Sequence, residues 1–334
     1  MAGTIIITGA NSSLAIPAIG HLLTKYPDYT AVLAVRNTSG SDNNTRRLRS
    51  TIAKHPGSKT SIHQLDLADL SAVHKFADDI IDKIRRGSLP PLASLLCNAF
   101  YWNLCRETEL TGDGYEKSLQ VIHIAHAALI LRLLGHFHSD GGRVVLFSSD
   151  AHWPGKNGLE KYPPNIPDEL DLLGKPGPDP TPDNLGRGFQ RYARAKLAIV
   201  AWMYALNRYL NEEPGLRNIT AVAINPGTLS DSRALRTNCP PMLVFMSRFV
   251  FQPLRPLLRF MDPTMRTSAE ASVDVVDLAV RAVHPQDRGY FTMLKHDDSA
   301  PESMELRTQQ LLWKKTLEWA RITQENTVLV KAFT

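Results

Sequence analysis

The feature that most constrains this chain is an alternation. Short runs of β-branched and aliphatic residues are followed repeatedly by stretches with helical period. "GTIIIT" (3–8) leads into "SLAIPAIGHLLTKY", where Pro17 falls near the first turn and its missing N–H costs little. "AVLAVR" (31–36), "SIHQLDL" (61–67), "LASLLCNA" (92–99), "GRVVLFSS" (142–149), "NITAVAIN" (218–225) and "GYFTML" (289–294) read as further strands. Residues 70–84, 113–135, 192–210 and 271–283 carry helical period. Strands alternating with helices predict an α/β fold, a doubly wound parallel sheet of about seven strands with helices on both faces.

A single domain spanning 1–334 is expected, since one α/β domain with insertions reaches this length. The formal net charge of +5 is spread along the chain, which favours a solvated surface over a nucleic-acid footprint. The three cysteines, Cys97, Cys105 and Cys239, fit no zinc or redox spacing, so no metal is expected. Their odd count suits a reducing compartment. "MAGTIIITGA" lacks the make-up of a signal peptide, and no apolar run was expected to approach the roughly 20 residues that span a bilayer. A cytoplasmic protein is the expectation.

Two segments break the alternation. Residues 150–190 are rich in Pro, Gly and Asp and read as a long insertion near the active site. Residues 239–266, "CPPMLVFMSRFVFQPLRPLLRFMDPTMR", are apolar, carry arginines and are interrupted by prolines. A substrate lid and a helix packed on the body suit them equally, and a membrane-surface contact is the less favoured reading.

Four features carry chemistry. Gly9 directly follows a strand and precedes a helix, the setting in which backbone N–H groups hold a pyrophosphate. Arg36 ends the second strand with Asn37 beside it and no acid, a choice that favours a ribose 2′-phosphate over a free 2′-hydroxyl. Tyr192 and Lys196 stand four apart in "RYARAK", on one helix face. An ammonium there is expected to lower the phenol from about 10 toward neutrality and fit it for proton transfer at a carbonyl or hydroxyl. Ser149 ends a strand at the carboxyl edge, where its hydroxyl could hold the same oxygen; alternation sends Ser148 the other way.

Taken in order, Thr8-Gly9, Asp66 in "QLDL", Asn98-Ala99, Ser149, Tyr192 with Lys196, and "NPG" at 225–227 resemble the short-chain dehydrogenase/reductase family. "VRN", "FSSDAH" and the extended C-terminus resemble its retinol-dehydrogenase-like branch, including fungal members with a long segment before the catalytic tyrosine. The resemblance implies a Rossmann-type fold and an NADP(H) cofactor. It implies that Gly9 and the turn after it, Asn11, Ser12, Ser13 and Leu14, face the pyrophosphate. Asp66 and Leu67 would hold the adenine, and Asn98 and Ala99 would border a ribose. Pro226 and Gly227 would line the carboxamide, and Lys196 would bind the nicotinamide ribose. The implied reaction is reversible reduction of a carbonyl on a hydrophobic small molecule, such as one of secondary metabolism, with Ser149, Tyr192 and Lys196 catalytic. Trp153 and the 239–260 segment suggest the apolar substrate. A homodimer through the 113–135 and 192–210 helices is the default by resemblance.

The chain departs from the family in four places. Ser13 and Ala15 replace the second and third glycines of the turn, and Phe100 follows Asn98-Ala99. Ser149 and Tyr192 lie unusually far apart. Ile122 stands where the family has an asparagine that links the lysine to solvent, and its side chain neither donates nor accepts. His123 and His126 nearby read as structural. These departures leave a rival open: a non-redox dehydratase, isomerase or cyclase, or a binding protein, in the same pocket.

Overall fold

Every residue of β1 (Thr4–Thr8) is buried, as a central strand covered on both faces requires. The computed structural model describes residues 2–180 and 182–333; Met1, Thr334 and Thr181, the last within the expected insertion, lie outside the described residues. The strands are β1, β2 (Thr30–Val35), β3 (Thr60–Gln64), β4 (Leu92–Cys97), β5 (Gly142–Phe147), β6 (Ile219–Asn225), β7 (Gly289–Thr292) and β8 (Lys295–His296). They form one sheet in the order β3-β2-β1-β4-β5-β6-β7-β8. All pairings are parallel except β7 with β8. The doubly wound sheet is therefore as expected, with one extra strand. The run expected over 289–294 ends at Thr292 because Met293 takes φ 57°, and the chain reverses into β8.

Helices cover both faces: α1 (Ala15–Lys25), α2 (Asn43–Ile52) and α7 (Ser268–Ala279) on one side, α3 (Leu70–Arg85), α4 (Lys117–His136), α5 (Asn184–Glu212) and α8 (Leu306–Trp319) on the other. Strand alternation sorts the cores. Ile5 and Ile7 pack with Ile19 of α1 and Val275 of α7, whereas Ile6 packs with Ile80, Leu129 and Ile199 of α3, α4 and α5. A further helix, α6 (Pro241–Phe251), lies in the apolar segment.

Local chemistry sets the helix starts. Asp42, Asp69 and Asp183 each accept a backbone N–H at the first turn of α2, α3 and α5. Asp183 starts α5 well before residue 192, so the irregular insertion ends there. A capping box of Thr267 and Glu270 starts α7. α4 corrects one expectation: it is long and apolar enough to cross a bilayer, yet 89% of its most apolar 18-residue stretch is buried in the core.

The C-terminal segment closes the α4/α5 side. Trp313 of α8 stacks on Trp202 of α5 with ring centroids 5.4 Å apart, and Thr316 bonds His123 of α4 at 2.8 Å. α8 thus packs against both α4 and α5.

Candidate active site

The carboxyl ends of β1, β4, β5 and β6 meet at one edge. There Gly9 turns the chain with φ 61°. A Cβ on it would lie 3.0 Å from the Ala99 Cα and 3.1 Å from the Asn98 amide nitrogen, so the crowding and the positive φ together favour glycine. The Asn98 amide donates to the carbonyls of Thr8 and Gly9 and to Ser12 Oγ, at 2.9, 3.1 and 3.1 Å. Ser12 Oγ also accepts from Ala15 N. Asn98 therefore shapes the turn rather than simply bordering it. Asn11 reaches sideways to Thr45 Oγ1 at 3.0 Å.

Ser149 follows β5, and α5 brings Tyr192 and Lys196 under it. Ser149 and Tyr192 line one cavity, close enough for the Ser149 hydroxyl to act on the phenol. Ser149 Oγ also donates to Asp150 at 2.8 Å. Burial pushes the Tyr192 phenol above its usual range, and Ser149 draws it part of the way back. Burial also pushes the Lys196 ammonium down, to about 7. The expected lowering of the phenol by the ammonium is not found. Lys196 Nζ donates instead to the Phe147 carbonyl at 2.5 Å, and sits 5.6 Å from the Tyr192 ring centroid.

A cavity of about 890 Å³ joins these groups. It brings together Ser12, Ser13, Leu14 and Asn98 of the turn side, Ser149, Tyr192 and Lys196, and Pro226 and Gly227. Gly9 and Ala99 pack beneath the turn instead of lining it, and Asn11, Arg36, Asn37, Asp66 and Leu67 also lie outside its wall. Arg36 and Asn37 are exposed at the end of β2, and Asp66 follows β3, where it accepts from Ala68 N. Phe100, Trp102 and Phe189 surround Tyr192 with ring centroids 6.0, 5.3 and 6.0 Å away. Trp153, expected to signal the substrate pocket, does not line it; Lys156 covers its ring at 4.0 Å. Residues 156–159 of the insertion and Leu243, Phe251 and Met261 of the apolar segment line the rest.

Residues 233–329 match the family described as the AcuH dehydrogenase domain. The dehydrogenase acuH of Aspergillus aculeatus is 52% identical over 92 residues, which cover 94% of it and 28% of this chain. The short-chain dehydrogenase iccH of Talaromyces variabilis is 28% identical over 98% of both chains. The chain belongs to the short-chain dehydrogenase/reductase family. It is an oxidoreductase of that type. The solved NADPH-bound carbonyl reductase from chicken fatty liver has the same fold, with a TM-score of 0.57 at 16% identity, covering 89% of this chain and 99% of that one.

The departures from the dehydrogenase/reductase pattern now have surroundings. Ile122 is 2% exposed and lies in a π-helical turn of α4, Gln120–Ile124. Its carbonyl accepts from His126 Nδ1 at 2.9 Å, and Thr8 Oγ1 donates to His126 Nε2 at 2.9 Å. Burial pushes His126 down to about 4, so the ring is neutral and ties α4 to β1. Ser13 Oγ accepts from Arg233 N and Nε at 3.0 and 3.2 Å, while Arg233 Nη2 donates to the Asn11 carbonyl at 2.5 Å. Arg233 was not singled out from the sequence. The only signal was a basic residue shortly after "NPG". Trp102, also missed, donates to the Thr237 carbonyl at 3.1 Å and so ties the pocket wall to the segment beyond β6.

Proposed function

We propose that the protein is an NADPH-dependent reductase of a carbonyl group on a hydrophobic small molecule, reversible as an alcohol dehydrogenase. The observation that carries this reading is the single cavity running from Ser12 and Ser13 to the Ser149–Tyr192 hydroxyl pair. The residues fit a dinucleotide. Gly9 permits a tight backbone turn at the start of α1. Arg233 beside it is a half-buried guanidinium bonded to two neutral oxygens, which suits an anionic diphosphate. Arg36, exposed at the end of β2, supplies the guanidinium that would favour a 2′-phosphate. When bound, the nicotinamide supplies a hydride.

The chain's own residues would do the rest. The Ser149 hydroxyl would turn from Asp150 to hold the substrate oxygen, and Tyr192 donates its proton to that oxygen as charge develops there. A phenol held above its usual range is protonated at neutral pH and ready to donate. The rings of Phe100, Trp102 and Phe189 exclude water and favour an apolar substrate. The names of the relatives support the class. An angucycline C-6 ketoreductase with bound NADP shares the fold, and the fungal relatives make a role in secondary metabolism the natural setting. The non-redox rival keeps one observation in its favour: Arg233 bridges the cofactor turn and competes with a ligand there.

Calorimetric titration with NADPH and NADH, followed by a carbonyl panel read by NADPH absorbance, tests the reading. NADPH should bind more tightly than NADH, and Tyr192→Phe should lower kcat by about 10²–10⁴-fold. No NADPH binding, or equal turnover by Tyr192→Phe, overturns it.

A further inference from the structure

Among the described residues, seven of the seventeen exposed large apolar side chains fall between Met242 and Met261. Scattered exposed apolar residues need no explanation, but a concentration of this kind does. On α6, Met242, Phe245 and Phe249 follow one another at spacings of three and four, so they share one helix face. The Phe245 and Phe249 rings lie 4.9 Å apart on that face. The opposite side is used: Leu243 and Phe251 line the cavity, and Ser247 is buried. Leu257 and Phe260 continue the outward face beyond α6, Phe260 being 86% exposed, and Met261, 84% exposed, stands at the rim of the cavity.

The charges on this face are of one sign. Residues 239–261 contain Arg248, Arg255 and Arg259 and no Asp or Glu. The next acid, Asp262, is taken up by Thr264 N and Oγ1, and Glu270, held by Thr267 at the start of α7, reaches Arg259 at 3.7 Å. A two-fold contact with a second copy would set arginine against arginine. An anionic lipid surface matches both the apolar side chains and the arginines. The eleven-residue α6, followed by Pro253 and Pro256, is too short to span a bilayer and suited to lying in its interface.

We infer that residues 241–261 dock the protein on an anionic lipid bilayer, with Phe245, Phe249 and Phe260 entering the acyl boundary and the arginines at the headgroups. The same segment walls the cavity, so the mouth would face the lipid. That the substrate is then drawn from the bilayer rests on the reductase reading; the docking itself does not.

Vesicle co-sedimentation of the full chain, without cofactor or substrate, tests the docking. The chain should pellet with vesicles of equal parts phosphatidylcholine and phosphatidylserine, and far less with phosphatidylcholine alone. Arg248→Glu/Arg255→Glu/Arg259→Glu should lower binding to the mixed vesicles by about tenfold or more, and added salt should weaken it. Phe245→Ser/Phe249→Ser/Phe260→Ser should abolish it while keeping the wild-type circular dichroism, because none of the three rings lines the cavity. Phe245→Trp should shift its emission to the blue on adding mixed vesicles. A chain that stays in the supernatant with both vesicles overturns the inference, as does binding unchanged by the triple serine variant. So does a dimer in solution that the serine variant dissociates while no vesicle binding is seen.

Discussion

At the scale of single residues, Lys196 shows what spacing conveys and what it does not. Tyr-x-x-x-Lys places both side chains on one face of α5, and both do reach the same cavity. The direction of their titration was not legible, because it depends on Phe100, Trp102 and Phe189, which come from other parts of the chain. Burial moves Lys196 from 10.5 to about 7. A base whose folded value is depressed opposes folding fully below that value, and the burden fades as pH rises toward its unfolded value. Lys196→Met should therefore stabilise the protein at pH 7 and below by on the order of 1–4 kcal/mol while destroying activity. In urea unfolding its advantage should shrink between about 7 and 10.5 and vanish above. A variant less stable than wild type at pH 6 would show that the Phe147 hydrogen bond outweighs desolvation.

At the scale of elements, strong periodicity was readable and weak periodicity was not. β1, β5 and β6 are fully buried and announce themselves as apolar runs. α2 was missed because "NNTRRLRSTI" offers the core little beyond Leu48. α8 was missed because its face meets Trp202, which the local pattern does not reveal, and a helix such as α6 was only one of two readings of 239–266 because the pattern does not show the cavity wall. The π-helical turn of α4 is the case with a chemical consequence. Ile122 looks like a lost relay from the sequence, but the π turn buries its side chain and gives its carbonyl to His126. Ile122→Asn would place an amide in an apolar site. It should cost about 1–3 kcal/mol in urea unfolding. It should change kcat in the reductase assay by less than about tenfold. A larger rate gain would show that proton resupply through position 122 limits the enzyme.

At the scale of the whole molecule, the doubly wound body was legible because each strand–helix unit is local. The C-terminal wrap was not, since its contacts join positions far apart in sequence, such as His123 with Thr316. Three buried histidines hold this larger assembly. His123 joins α4 to α8, His126 joins α4 to β1, and His152 accepts from Ala300 N while its Nδ1 donates to the Ser149 carbonyl. Burial pushes them down to about 3, 4 and 4 from 6.5. Between those values the unfolded chain binds protons that the folded chain refuses, so stability is complete above 6.5 and falls with falling pH. Lowering the pH to about 5 should cost on the order of 2 kcal/mol per histidine. His152 couples this loss to the site, because its release frees the backbone of Ser149. The expected outcome is a steep fall in the urea midpoint from neutrality to about pH 5, flattened in His123→Gln/His126→Gln/His152→Gln. A wild-type midpoint that is level across that range would mean these rings are protonated in the fold, and the wrap would then rest on Trp313 and its apolar neighbours alone.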